Sequence, residues 1–165
     1  MKDLLLSSAL AWLRYQHRCF LVATERHPLG DWNHGRPDAL GADGKRFITE
    51  VEIKITVSDF RANAKKRHIK NRNWNSSGAP RQFYFMVPPL LVEKVRPELP
   101  EYAGLMTIEE HGFMPGVKEV RVIRSAPVNR SASPLTVRQL YLMAKHQSGT
   151  LCSMARFLAV KTPNL

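Results

Sequence analysis

Asp38, Glu52 and Lys54 are residue types that cooperate in phosphate-ester chemistry, and they lie within one short stretch of this 165-residue chain. Glu52 and Lys54 flank Ile53; in extended backbone, residues two apart project from the same face about 6–7 Å from each other. Two carboxylates brought onto one face repel, so one must protonate or both must share a cation. Hard oxygen ligands that leave several coordination positions open suit Mg²⁺ or Mn²⁺. An ammonium beside such a cation orients an attacking water or offsets charge developing on a phosphate. Carboxylates, metal and ammonium together are what phosphodiester hydrolysis requires.

The element that must carry Glu52 and Lys54 is the clearest in the chain. From Phe47 to Val57 the residues alternate, with Phe47, Thr49, Val51, Ile53, Ile55 and Val57 on one face and Ile48, Glu50, Glu52, Lys54 and Thr56 on the other. A strand inside a helix-covered sheet should be apolar on both faces. Buried charges are costly unless paired or metal-bound, so either this face is exposed with ordinary cross-strand ion pairs or it forms a site. Asp38 lies on a preceding strand over Arg36–Leu40, with a turn expected over Gly41–Lys45. Parity decides whether Asp38 can meet Glu52. Direct opposition centres the hairpin on Lys45, which requires an odd loop such as 44–46 or 43–47. A two-residue Asp43-Gly44 turn would put Asp38 opposite Thr49, on the wrong face.

Around this hairpin the pattern predicts a helix over Leu4 to Tyr15 and a buried strand over Cys19–Ala23 that ends at Thr24-Glu25. A helix capped by Ser58 should run from Asp59 to Asn71, followed by a strand over Phe83–Val87 that is stopped by Pro88-Pro89. A short helix over Leu90–Val95 and strands over Gly104–Ile108 and Val117–Ile123 come next. Two helices, Leu135–His146 and Leu151–Val160, are separated by a break near Ser148-Gly149. The order is that of an α/β domain, a mixed sheet flanked by helices, over residues 1–130, with residues 131–165 as a basic helical extension of the same domain.

Charge names the partner class. Twenty-five Lys and Arg against 14 Asp and Glu leave +11 at pH 7, a field that attracts polyanions. No stretch approaches the roughly 18 apolar residues of a membrane span, and Leu4-Leu5-Leu6 is too short for a signal peptide. Cys19 and Cys152 match no metal spacing and read as small buried hydrophobes of a reducing cytoplasm. From Arg61 to Arg72 there are six basic residues and no acid: Arg61, Lys65, Lys66, Arg67, Lys70 and Arg72. They follow the acidic pair directly and are expected to contact a phosphate backbone, which supplies affinity and register without sequence information. A second basic region holds Arg121, Arg124, Arg130, Arg138, Lys145, Arg156 and Lys161, suited to a further contact surface or a homodimer interface. Trp32 and Trp74 fall in loops, where they either stack on unpaired bases or edge the core. His27 and His34 fit no metal spacing, and no glycine-rich phosphate loop is present.

Pro37-Asp38, a hairpin and Glu52-Ile53-Lys54 on adjacent strands resemble the signature of the PD-(D/E)XK nuclease superfamily, with its restriction-endonuclease-like core. Thr24-Glu25, Arg36-Pro37-Asp38-Ala39, Val51-Glu52-Ile53-Lys54, Ser58-Asp59-Phe60-Arg61, Phe83-Tyr84-Phe85-Met86-Val87-Pro88 and Ala103-Gly104-Leu105-Met106 are similar to segments of the bacterial MmcB-like DNA-repair endonucleases, a likeness spanning residues 5–125. The resemblance implies that Asp38, Glu52 and the Ile53 carbonyl hold Mg²⁺ or Mn²⁺ and that Lys54 is the catalytic lysine. Glu25 would join the metal site; otherwise it is a helix-start or surface ion-pair residue. Glu50 shares the face but lies outside the motif and reads as structural. The implied activity is a metal-dependent deoxyribonuclease acting on single-stranded, duplex or branched DNA in repair, recombination or phage DNA processing. It would work in the cytoplasm, at the nucleoid or, for a phage-encoded protein, in the host. RNA cleavage uses the same chemistry. The rival expectation is a non-catalytic nucleic-acid-binding or interaction protein on the same fold.

Overall fold

The computed structural model describes residues 1–24, 36–70, 79–112 and 118–161, with only the backbone path of 64–70 and 154–161. Six strands form one mixed sheet in chain order: β1 (Leu21–Thr24), β2 (Ala39–Ala42), β3 (Ile48–Ile53), β4 (Gln82–Met86), β5 (Gly104–Glu110) and β6 (Lys118–Arg124). The β1–β2, β2–β3 and β5–β6 pairs are antiparallel, whereas β3–β4 and β4–β5 are parallel. Helix α1 (Lys2–Ala11) leads in and widens to a π turn over Trp12–Gln16. Helix α2 (Val57–Lys70) crosses from β3 to β4, a short α3 (Val92–Val95) lies between 3-10 turns, and α4 (Val137–Lys161) closes the chain.

Alternation along the strands sends apolar residues to both sheet faces. On one face Leu5, Ala9, Trp12 and Leu13 pack against Val51, Ile53, Tyr84, Met86 and Met106. On the other, Phe60 of α2 meets Phe83 and Phe85 together with Val92 and Val95 of α3, and Phe60 and Phe85 stand edge to face at 4.9 Å. Farther along that second face, Leu135 and Met143 pack on Ala23, Leu40 and Ile48, so the C-terminal extension docks on the sheet.

Several boundaries move for identifiable reasons. β1 is an edge strand with half-buried Leu21 and Val22, not a buried one, because only β2 pairs with it. Strand β3 ends at Ile53, and the helix starts earlier than Ser58 capping implies. The cap is Thr56, whose Oγ1 accepts the Asp59 amide at 3.1 Å. Helix α4 is continuous through Gly149: a helical glycine costs about 1 kcal/mol relative to alanine, too little to break 25 residues. It starts with a reciprocal box in which Gln139 N–H donates to Thr136 Oγ1 and Thr136 N–H donates to Gln139 Oε1. Cys152 on α4 is exposed, contrary to expectation, whereas Cys19 is buried and burial raises its thiol pKa to about 12.

At the edge of the first core His17 stacks on Trp12 at 4.6 Å, and its Nε2 lies 2.9 Å from Thr49 Oγ1. Desolvation lowers its pKa below the usual 6.5, partly offset by the Asp43 carboxylate. The unfolded chain therefore binds this proton more tightly than the folded one. Stability from neutral His17 is complete above pH 6.5 and is lost as pH falls from there through the depressed folded value. Thermal melts at pH 7.5 and pH 5 should show a larger drop for wild type than for His17→Gln. Equal drops would mean that His17 does not sense pH.

Candidate active site

The β2–β3 register pairs Ala39 with Val51, Leu40 with Glu50 and Ala42 with Ile48. One further step in the same register brings Asp38 opposite Glu52. The connecting loop is the odd one, residues 43–47, rather than a two-residue Asp43-Gly44 turn. Asp43 closes it: its Oδ1 accepts the amides of Lys45 and Phe47, each at 2.9 Å, and Arg46 takes the left-handed conformation with φ 68°.

Asp38 is anchored where the site needs it. Its Oδ2 accepts the Ile53 amide at 2.9 Å, so the carboxylate is held against the residue between Glu52 and Lys54. Its Oδ1 lies 3.1 Å from the Lys2 ammonium at the start of α1. The charged face of β3 is buried, not exposed: Glu50 is 1% accessible, Glu52 8% and Lys54 6%. Lys54 Nζ lies 3.1 Å from Glu52 Oε2 and 3.8 Å from Oδ1 of half-exposed Asp59. The Lys54 amide donates to the Met86 carbonyl at 2.9 Å, which keeps the residue aligned with β4 one step beyond the end of the strand. Glu50 lies in the row Leu40–Glu50–Phe83, one pleat from Glu52 on the same face.

A buried ion pair gains little over an apolar pair of similar volume, because desolvation offsets the Coulomb attraction. Two acids and a lysine retained at such cost on one strand end suit chemistry better than stability. The oxygens of Asp38 and Glu52 and the Ile53 carbonyl are hard donors of the kind Mg²⁺ takes, and Mg²⁺ retains several waters and needs few protein ligands. Among the described residues no three His, Cys, Asp or Glu side chains gather as a metal cluster. Glu25, expected as the third acid, lies outside the described residues.

Of the expected phosphate contacts, Arg61 is engaged otherwise. Its Nε donates to Glu98 at 2.8 and 3.1 Å, and this bond raises its pKa. Lys65, Lys66, Arg67 and Lys70 sit on α2 with their side chains outside the described residues, as are Arg72, Trp32, Trp74, His27 and His34. In the C-terminal basic set Arg121 pairs with Glu109 at 3.1 Å, and Arg124 Nε donates to the Ala103 carbonyl at 3.2 Å, with burial lowering its pKa. Two residues at the site, Lys2 and Asp59, were given no site role by the sequence reading. The Thr56-x-x-Asp59 spacing was the available signal for Asp59: it fixes an acid on the first helical turn after the strand that ends beside Lys54.

No helix among the described residues is long and apolar enough to cross a membrane. No family model and no curated protein matches the chain. Among solved structures, the SPO1766 protein of unknown function from Silicibacter pomeroyi is similar, with a TM-score of 0.59 and 20% identity over 98% of this chain and 92% of that one. At that identity the likeness shows the fold alone: a mixed α/β architecture in which helices flank a six-stranded sheet.

Proposed function

We propose that this protein is a metal-dependent nuclease hydrolysing DNA phosphodiester bonds on a PD-(D/E)XK-type core, related in kind to the MmcB-like DNA-repair endonucleases. The observation that carries the reading is the Asp38 carboxylate bonded to the Ile53 amide, beside a buried Glu52–Lys54 ion pair at 3.1 Å. The +11 charge supports a polyanionic substrate. Contacts to the phosphate backbone carry no sequence information, which suits selection by DNA structure rather than by sequence, and repair, recombination or phage DNA processing are fitting settings.

Hydrolysis forms a bond from water oxygen to phosphorus, the water giving up a proton to solvent, and breaks the bond from phosphorus to the leaving sugar oxygen, which takes up a proton from solvent. Mg²⁺ or Mn²⁺, when bound by Asp38, Glu52 and the Ile53 carbonyl, supplies polarisation of the phosphate and a lowered pKa for water. Lys54 donates hydrogen bonds to the phosphate oxygens as their charge grows. Asp38 is held by the Ile53 amide, so the two acids move with β3 as a unit. The basic residues Lys65, Lys66, Arg67 and Lys70, which the sequence places on α2, would draw in the phosphate backbone.

Labelled single-stranded, duplex, flapped and branched DNA, with single-stranded RNA alongside, incubated with Mg²⁺, Mn²⁺ or EDTA, tests the reading. Cutting that requires metal and ranks the DNA structures is expected. Salt-sensitive binding with no cutting in either metal would overturn catalysis and leave a non-catalytic binding protein.

A further inference from the structure

Lys54 is gripped from two different elements. Its ammonium has three N–H donors. Glu52, from its own strand, lies 3.1 Å away and is buried, and Asp59, from the first turn of α2, lies 3.8 Å away and is half-exposed. Glu52 is also the acid that the nuclease reading assigns to a divalent cation. A carboxylate that turns its oxygens to a cation releases its hold on a neighbouring ammonium, and a buried ammonium deprived of its counter-charge is strongly disfavoured. Asp59 is a counter-charge free of that conflict. It is also well fixed: its amide donates to Thr56 Oγ1 at 3.1 Å, the next amide, Phe60, donates to the Thr56 carbonyl at 3.1 Å, and the Phe60 ring is locked edge to face on Phe85. The carboxylate thus comes from a turn pinned to the core while its oxygens reach the half-exposed mouth of the site.

We infer that Asp59 is a positioning residue, holding the Lys54 ammonium in its working orientation while Glu52 serves the cation. The kinetic part rests on the nuclease reading; the orientation of the ammonium does not. A merely structural Asp59, favourable at a helix N-terminus, would affect stability alone.

Asp59→Asn, Asp59→Glu, Lys54→Met and the double variant Asp59→Asn/Lys54→Met, each in the full chain, separate these roles. Asp59→Asn should lower kcat by about 10–100-fold with KM within about twofold, the scale of a misplaced catalytic group. Asp59→Glu should recover most of the loss, and in urea unfolding Asp59→Asn should cost less in the Lys54→Met background than in wild type, because the pair it breaks is already gone. In proton–nitrogen NMR spectra of metal-free protein carrying Glu52→Gln, where that carboxylate no longer holds the ammonium, the Lys54 signal, assigned by its absence in Lys54→Met, should persist with Asp59 or Asp59→Glu and vanish through fast exchange with Asp59→Asn. Wild-type cutting with an unimpaired Asp59→Asn overturns this inference and leaves the nuclease reading intact. If wild type does not cut, the nuclease reading falls and the ammonium signal alone decides: loss in Asp59→Asn upholds Asp59 as the residue that holds Lys54, and an unchanged signal overturns it.

Discussion

Lys54→Met should abolish cleavage and destabilise the protein together, whereas adding Glu52→Gln should restore the stability and leave the protein inactive. The two side chains form a buried pair at 3.1 Å, each about one-tenth exposed or less. Removing the lysine alone leaves the Glu52 carboxylate in a low-dielectric setting without this ammonium, a change that costs about 3–5 kcal/mol in comparable buried pairs. Replacing both members by neutral groups of similar size removes desolvation and attraction together and is often neutral or stabilising. Activity follows a different rule. A group placed where transition-state charge develops is worth about 10²–10³ in rate, and loss of a metal-holding acid costs at least as much, so neither single variant nor the double should cut measurably. Urea unfolding beside the cleavage assay reads both quantities. A Lys54→Met protein that unfolds like wild type would show that the pair carries no buried charge penalty. One that cuts like wild type would remove Lys54 from the mechanism.

How far this pair was legible follows from the period of a strand. Alternation over residues 47–57 puts Glu50, Glu52 and Lys54 on one face with no knowledge of the neighbours, and parity then limits the hairpin to an odd loop if Asp38 is to join them. The register Ala39–Val51 meets that condition. Which odd loop forms was not legible. Asp43-Gly44 is a strong two-residue turn signal, yet Asp43 closes a five-residue loop through its own carboxylate, and the left-handed position falls on Arg46, with φ 68°. Side chain to backbone bonding of this kind competes with turn propensity and leaves little trace in composition.

The parts that escaped are tertiary. Lys2 reaches Asp38 only because α1 packs on the sheet with its first turn beside the start of β2, and Asp59 reaches Lys54 only because Phe60 seats α2 on Phe85. Neither contact has a sequence period. The continuity of α4 is a matter of degree: Ser148-Gly149 reads as a break locally, and the helix on either side outweighs it. Glu25, Arg72 and the tryptophans Trp32 and Trp74 lie outside the described residues, so their expected roles stand as proposals for the same cleavage and binding experiments.

Gly104→Ala should be among the most damaging single-methyl changes in the molecule, and its sign runs against expectation for a strand. Glycine weakens strand interiors, so alanine there ordinarily gains about 0.4–1 kcal/mol through the unfolded chain. Gly104 opens β5 beside Tyr84 of β4, and a methyl would stand 2.3 and 2.4 Å from two ring carbons of Tyr84 and 2.7 Å from the Ala126 backbone nitrogen. The ring has little room to yield. It is buried on the α1 face, edge-on to Trp12 at 5.4 Å, with Gln82 Nε2 near its hydroxyl at 3.4 Å. Overpacking of this kind costs about 1–3 kcal/mol, and backbone on one side puts the change at the upper end. For a domain of this size that is about 6–12 °C in Tm. Gly44→Ala is the control, since nothing lies within 4 Å of a methyl there, and it should melt within about 2 °C of wild type. Tyr84→Leu added to Gly104→Ala should recover part of the loss by vacating the clash. Because Tyr84 points to the face opposite Glu52 and Lys54, cleavage per folded molecule should stay near wild type below the melting range. A Gly104→Ala protein that melts at or above wild type would show that the ring and the Ala126 segment can part at little cost.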